Sequence, residues 1–293
     1  MKQTRIGILG VPFGLGAGER GAEFGSQALR HNGLLKQFKQ PLTDYGELDL
    51  GYPETMLAHP GINYFPFVKN CNEKVAAAVA TIMKNNEFPL IIGGDHSIAL
   101  GSISAITKEQ EIAVIWADAH GDINPYTHSG SGNSHGMPLH FLLGHGDSSL
   151  KNIGYEGAKL KEENIFLIGQ RDLDPPEVEF IEKSQVQLHE WETISDLTLT
   201  VANILAAIRE KGIKHLHLSF DIDFMDALVA PGTGTPVKDG PSLEQTKQFL
   251  KQIAASGLLK SMDFVEYNPL LDEDEKTAAV CLTLIKEMFE VLE

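Results

Sequence analysis

The stretch EIAVIWADAHGD, residues 111–122, joins an apolar run to a group of charged side chains and decides the fold that we predict. Its first part is rich in β-branched residues, which is typical of a buried strand in a parallel sheet. Two further stretches have the same construction: PLIIGGDHS at 89–97 and KHLHLSFDID at 214–223. Because ligand sites on parallel sheets lie where strands end, the three strands would bring their polar residues to one edge.

The polar residues that follow these runs are two histidines and four aspartates: His96, Asp118, His120, Asp122, Asp221 and Asp223. Alternate residues of an extended segment point to the same side, so DAHGD would present three ligands together. Carboxylate oxygen and imidazole nitrogen are ligands of manganese and its neighbours, and four close carboxylates repel one another unless cations neutralise them. Each segment alone is also typical of a helix cap or an acidic turn. The three together predict a site for two divalent cations.

Apolar runs alternate with amphipathic stretches along the rest of the chain. Strands are predicted near residues 4–10, 88–92, 112–117, 164–169, 214–220 and 259–265, and helices near 23–38, 66–85, 97–108, 198–211, 243–256 and 274–291. This alternation predicts an α/β fold with a mainly parallel sheet and helices on both faces. Since neither a linker nor a charge block divides the sequence, we predict a single domain over residues 1–293.

Composition and charge exclude several classes of function. The net charge of −16 and a pI near 5.1 argue against partners such as nucleic acid or an anionic membrane. Cys71 and Cys281 are predicted to be reduced apolar residues inside helices, and the amino terminus has too short an apolar core for a secretion signal. We therefore expect a cytoplasmic protein. The segment GVPFGLGAGERG at 10–21 lacks the spacing of a dinucleotide-binding fingerprint, so we expect a flexible loop at the rim of the site.

Seven blocks of sequence resemble the ureohydrolase family, and within it the arginases: GGDHS at 93–97, DAHGDIN at 118–124, SGNSHGMP at 131–138, RDLDPPE at 171–177, SFDIDFMD at 219–226, GTGTP at 232–236 and DFVEYNP at 263–269. The blocks occur in the family's order. The resemblance implies manganese-dependent hydrolysis of L-arginine to L-ornithine and urea, with a hydroxide that bridges two Mn²⁺ ions as the nucleophile. It also implies a three-layer αβα architecture and a homo-oligomer, either a trimer or a hexamer.

By position in these blocks, the resemblance implies two overlapping sets of metal ligands. One ion would take His96, Asp118, Asp122 and Asp221, and the other would take Asp118, His120, Asp221 and Asp223. Asp118 and Asp221 would therefore bridge the ions. Asp122 is also a candidate to pass a proton to the leaving amine, and a role as a ligand alone is equally open.

Other residues are implied in catalysis and in substrate binding. His135 is similar to the family's proton-transfer histidine, and Glu266 would pair with the substrate guanidinium. Without the resemblance, they would be interpreted as a loop hydrogen-bond donor and an ordinary surface acid. The residues implied to contact the substrate are Asn124, Ser131 and Asn133 at its α-carboxylate, Asp174 and Glu177 at its α-ammonium, and Thr235 in GTGTP.

Three alternatives stay open at this point. The first is a ureohydrolase for agmatine or another guanidino compound, because SGN and Asx-Pro are also common turn sequences. The second is a catalytically silent metal-binding relative, although every predicted ligand is present. The third is a deacetylase of related topology, which is less favoured because DAHGD with Asp221 and Asp223 fits two metals better than one.

Overall fold

Eight strands lie parallel in one sheet of the computed structural model, which describes residues 4–292. The order of the strands across the sheet is β2-β1-β3-β8-β7-β4-β5-β6. Their bounds are β1 Ile6–Gly10, β2 Leu42–Glu47, β3 Phe88–Ile92, β4 Ala113–Ala117, β5 Ile165–Ile168, β6 Gln187–His189, β7 Leu216–Asp221 and β8 Leu259–Val265. The prediction of a mainly parallel sheet is confirmed.

Nine α-helices pack on the two faces of this sheet within the described residues. Helices α1, α7, α8 and α9 share an apolar core with one face, and α2 to α6 share a second core with the other. Their bounds are α1 Gly25–His31, α2 Phe65–Lys84, α3 Ala99–Ile106, α4 Pro138–Leu142, α5 Ser148–Lys151, α6 Pro175–Lys183, α7 Leu197–Glu210, α8 Leu243–Ala254 and α9 Lys276–Phe289. The predicted three-layer αβα architecture is therefore confirmed.

Some elements differ from the sequence prediction. The two edge strands, β2 and β6, were not predicted, because β2 is only half-buried and β6 has three residues. The predicted helix over 23–38 is shorter, since Gly33 adopts a left-handed conformation after α1. Helix α6 begins with two prolines, which suit the first turn of a helix because its N–H groups need no partner inside the helix.

The centre of the sheet brings distant parts of the sequence into register. Ile92, Phe264, Phe220 and Ala117 lie side by side on β3, β8, β7 and β4. All four strands run in the same direction, so the residues that follow this row meet at one edge. The three blocks that carry predicted metal ligands follow β3, β4 and β7, so the ligands lie at this carboxyl edge.

None of the helices within residues 4–292 is long and apolar enough to cross a membrane. Cys71 and Cys281 are buried free thiols in α2 and α9, as the sequence predicts.

Replacing Gly101 by alanine should destabilise the protein. Its amide donates to Asn72 Oδ1 over 2.7 Å where α3 meets α2, and an added Cβ would lie 2.5 Å from the Asn72 backbone oxygen. Alanine favours a helix by about 1 kcal/mol, but overpacking against a backbone atom costs about 1–3 kcal/mol. We expect a lower free energy of unfolding in urea. Gly130→Ala is the control, because an added Cβ there meets no heavy atom within 4 Å. Equal urea midpoints of unfolding for the two variants would contradict the prediction.

Candidate metal centre and substrate cleft

The predicted metal ligands meet at the carboxyl edge of the sheet in two linked groups. His96 Nδ1 lies 2.9 Å from Asp118 Oδ2, 2.9 Å from Asp122 Oδ2 and 3.2 Å from Asp221 Oδ2. His120 Nδ1 lies 3.1 Å from Asp223 Oδ2 and 3.3 Å from Asp118 Oδ1. Asp118 therefore faces one histidine with each of its oxygens. Within each group, His96 with Asp118 and Asp122 or His120 with Asp118 and Asp223, one ligand atom per residue lies within 4.8 Å of the others.

The chemistry of these groups fits metal ions. His96 Nδ1 is buried and, although carboxylates surround it, makes no hydrogen bond of acceptable geometry. Burial, together with the charge of Asp118, raises the pKa of Asp122 to about 6, which shows how costly the crowded negative charge is. A cation would satisfy the unpaired nitrogen and neutralise the carboxylates together. Because both groups offer only oxygen and imidazole nitrogen, they suit manganese and its neighbours.

Neighbouring side chains hold the ligands in position. The His96 ring stacks on Trp116 with 4.1 Å between ring centroids, and its Nε2 lies 2.8 Å from Ser219 Oγ. Trp116 also donates its indole N–H to Asp118 Oδ2 over 3.1 Å. These contacts leave Nδ1 of His96 as the atom that faces the carboxylates. The sequence prediction missed Trp116 and Ser219, whose only signal is that they lie on the strands leading to the ligands.

Glu266, which is buried, pairs with the partly exposed His135 beside the predicted metal ligands. Glu266 follows β8 directly, and its Oε1 accepts from the His96 backbone N–H over 2.8 Å and lies 3.0 Å from His135 Nδ1. Burial lowers the pKa of His135, but the Glu266 carboxylate more than offsets this and raises the pKa to about 9. Glu266 itself does not line the cleft described below, so its pairing with a guanidinium stays a prediction.

A cleft of about 170 Å³ opens above the metal groups. Its wall includes every residue that the sequence implies in substrate binding: Asn124, Ser131, Asn133, Asp174, Glu177 and Thr235. The predicted ligands His120, Asp122 and Asp221 also line it, as does His135. Asp172 and Ser129 also line it and were not predicted, although Asp172 lies within the block RDLDPPE and Ser129 lies just before SGNSHGMP. The geometry is that of a polar cleft beside two linked groups of residues that could hold metal ions.

Asp174 and Glu177 lie at the start of α6 and accept hydrogen bonds from different partners. Asp174 caps the helix, and its Oδ2 accepts from Asn124 Nδ2 over 2.9 Å. Glu177 accepts from the backbone N–H groups of Ile123 and Asp174, each over 3.0 Å. Burial and the charge of Asp122 raise the pKa of Glu177 to about 8. Glu177 therefore fastens the loop that follows DAHGD to α6, while Asp174 is the more open of the two acids.

The glycine-rich segment 10–21 reaches the same site. The Gly16 N–H donates to Asp95 Oδ2 over 2.7 Å, and its carbonyl accepts from the His135 N–H over 3.1 Å. An added Cβ on Gly16 would lie within 2.7 Å of Asp95, Ser97 and Ser134, so only glycine fits there without a shift. The segment therefore contacts His135, which lines the cleft, while its expected place at the rim and its flexibility stay predictions.

Comparison with known proteins connects this geometry to a family. The model described as the Arginase family matches residues 4–290. Arginases of Bacillus caldovelox and Brevibacillus brevis are 37% and 39% identical to the chain, over 292 and 289 residues, with 97% of each chain covered. The native structure of Bacillus caldovelox arginase at pH 5.6 superposes with a TM-score of 0.92 at 36% identity, covering 98% of each chain. The structure of Entamoeba histolytica arginase in complex with L-ornithine superposes with a TM-score of 0.89 at 29% identity, covering 99% of each chain. The chain belongs to the arginase family.

Proposed function

We propose that this protein is a manganese-dependent arginase, which hydrolyses L-arginine to L-ornithine and urea. The observation that carries the proposal is the pair of ligand groups that share Asp118, together with the cleft that His120, Asp122 and Asp221 line. The walls of that cleft supply donors and acceptors at the positions implied for an α-amino acid. Family membership and the arginase relatives support the same reaction.

Two Mn²⁺ ions, when bound, supply a hydroxide nucleophile at neutral pH because they lower the pKa of water. His96, Asp118, Asp122 and Asp221 would hold one ion, and Asp118, His120, Asp221 and Asp223 would hold the other. In the reaction, the oxygen of water adds to the guanidinium carbon, the bond from that carbon to the substrate's Nε breaks, and this nitrogen leaves as an amine.

The protein's own residues handle the proton and the substrate. Asp122, through the carboxylate oxygen that does not face His96, takes the proton of the nucleophile and delivers it to the departing nitrogen. His135 exchanges with solvent the separate proton that is released when water becomes hydroxide, and Glu266, which binds His135, pairs with the guanidinium. Together these residues would move the protons that the reaction requires and hold the guanidinium in place.

The far end of the substrate is recognised by the wall of the cleft. Asn124, Ser131 and Asn133 offer amide and hydroxyl donors to the α-carboxylate. Asp174 accepts from the α-ammonium, with Glu177 supporting the loop behind it and Thr235 completing the wall. Thr235 Oγ1 also donates to Asp223 Oδ2 over 3.0 Å, which connects this wall to the metal ligands.

The resemblance to arginases also supports a homo-oligomer, trimeric or hexameric, in the cytoplasm. We propose that residues 1–293 form one catalytic domain of that assembly.

Replacing Asp118 by asparagine should remove more than one metal ion, because its two oxygens face the two histidines separately. We expect metal analysis after dialysis to show two Mn²⁺ per chain in the wild type and less than one in Asp118→Asn. His96→Ala should keep about one. Asp196→Asn, at the cap of α7 where asparagine also caps, is the control. Two tightly bound ions in Asp118→Asn would overturn the assignment.

Replacing Glu266 by glutamine should preserve metal content and lower activity. A hydrogen bond to a charged group contributes about 1.5–3 kcal/mol, so kcat/KM for arginine should fall about 10- to 150-fold. The matched control is Glu87→Gln, which changes a partly buried acid bonded to Thr43 and Tyr45, far from the metal groups. Wild-type kcat/KM in Glu266→Gln with full metal content would exclude a role for its charge.

Replacing Asp174 by asparagine tests substrate choice while keeping the cap of α6. The variant loses the negative charge that would face the α-ammonium, so kcat/KM for arginine should fall by at least about tenfold. Guanidinobutyrate, which keeps a carboxylate but has no ammonium group, should change much less. Urea release is measured for both substrates on both enzymes. A wild-type preference for guanidinobutyrate, or equal losses for both substrates, would indicate a different ureohydrolase.

A further inference from the structure

The loop that presents Ser131 and Asn133 to the cleft belongs to no helix or strand, and Ser131 is exposed. Some of its bonds are internal: Ser129 Oγ accepts from the Gly132 N–H over 3.0 Å, and Ser131 Oγ accepts from the Asn133 N–H over 3.2 Å. Bonds of this kind shape the loop but do not fix it against the rest of the protein. An external contact is needed to hold its donors at the cleft.

Asn63 supplies that contact from a separate segment. Its backbone N–H donates to the Gly132 carbonyl over 2.8 Å. Its side-chain Nδ2 donates to the Ser131 carbonyl and to Asn133 Oδ1, both over 2.9 Å. Three hydrogen bonds thus join one residue to three consecutive residues of the loop. Asn63 does not line the cleft itself.

The segment that carries Asn63 is itself well anchored. It leads into α2, which begins at Phe65, and the ring of His59 stacks on Phe65 with 4.9 Å between centroids. The same ring meets Tyr126 edge-on at 5.2 Å, and an added Cβ on Gly61 would lie 3.0 Å from the Tyr126 ring. Asn63 is therefore fixed relative to both α2 and the base of the cleft loop.

The bond from Asn63 also decides which end of the Asn133 amide is available. Asn133 Oδ1 accepts from Asn63, so the group left to offer a ligand is the Nδ2 donor. A donor suits an anionic substrate group, whereas a carbonyl oxygen in its place would repel one. Asn63 thus sets the polarity of the cleft wall without touching the substrate.

We propose that Asn63 is a positioning residue that sets selectivity for substrates with an α-carboxylate, by holding the 131–133 loop and orienting the Asn133 amide. This inference rests on the proposed function. Asn63→Ala should remove two bonds to the loop. Asn63→Asp should do more, because an acceptor at this position turns the Asn133 amide around and presents its oxygen to the carboxylate.

The test measures binding of two products to manganese-loaded enzyme by calorimetry. L-Ornithine keeps the α-carboxylate, and putrescine lacks it. We expect ornithine Kd to rise about two- to tenfold in Asn63→Ala and by at least about tenfold in Asn63→Asp, in line with the worth of neutral and charged contacts. Putrescine Kd should stay the same. In turnover, KM for arginine should rise while kcat and metal content are retained.

A double variant separates this role from a general loosening of the structure. In an Asn133→Ala background, Asn63→Asp should weaken ornithine binding less than it does in the wild type, because there is no amide to turn. Asn70→Asp is the matched control, since Asn70 also uses its amide to donate to a backbone carbonyl, that of Leu50, without contacting the 131–133 loop. Its Kd values should equal those of the wild type.

The outcomes distinguish the two proposals. If the wild type binds putrescine as tightly as ornithine, the arginase function fails, and this inference fails with it. If the wild type prefers ornithine and both Asn63 variants keep that preference, the role of Asn63 alone is wrong. Equal losses for both ligands in Asn63→Ala would also overturn it, because they would show loss of structure rather than of carboxylate recognition.

Discussion

Repulsion among buried carboxylates at one edge of the sheet is the constraint on which this site depends. Asp118, Asp122, Asp221 and Asp223 are nearly inaccessible to solvent, and their neighbouring charges cannot be screened by water. A protein holds such a cluster only if a counter-charge joins it or if some of the groups stay protonated. The two histidines are the protein's own partners there, and each is shared among several acids. Metal ions would neutralise the negative charge that the two histidines leave.

Two of the seven non-glycine residues with a positive φ in residues 4–292 lie at the same edge. Asp122 and Glu266 both have a positive φ, 51° and 64°, in the left-handed region that non-glycine residues seldom adopt. Each such residue costs about 1–3 kcal/mol, and the surrounding contacts must offset that cost. The Glu266 N–H donates to the Gly94 carbonyl and the Asp122 carbonyl accepts from Leu139, so both turns are held by neighbouring segments. The strain falls on the two acids that the proposed mechanism uses most directly.

Periodicity and strand-end chemistry predict the central strands and the metal ligands from sequence because each signal is local. The buried runs at 88–92 and 112–117 are continuous in the chain, and their ligands follow within a few residues. Edge strand β2 has no such signal, since its half-polar side chains suit a loop equally well. Contacts between distant segments also leave no local trace. Asn63 meets Ser131 across 68 residues, and no spacing rule connects the two.

The residues that carry the reaction and the residues that select the substrate are therefore held by different parts of the fold. The predicted metal ligands lie at or shortly after the ends of β3, β4 and β7, so the sheet itself positions them. A change to the loops leaves these strands in place. The substrate wall depends instead on α6, on the 131–133 loop and on Asn63, which fastens that loop from outside. Loops held by a few exposed hydrogen bonds can be re-formed at small energetic cost, whereas buried strands cannot. A fold of this kind can therefore keep one hydrolytic centre while its outer loops decide which guanidino compound reaches it.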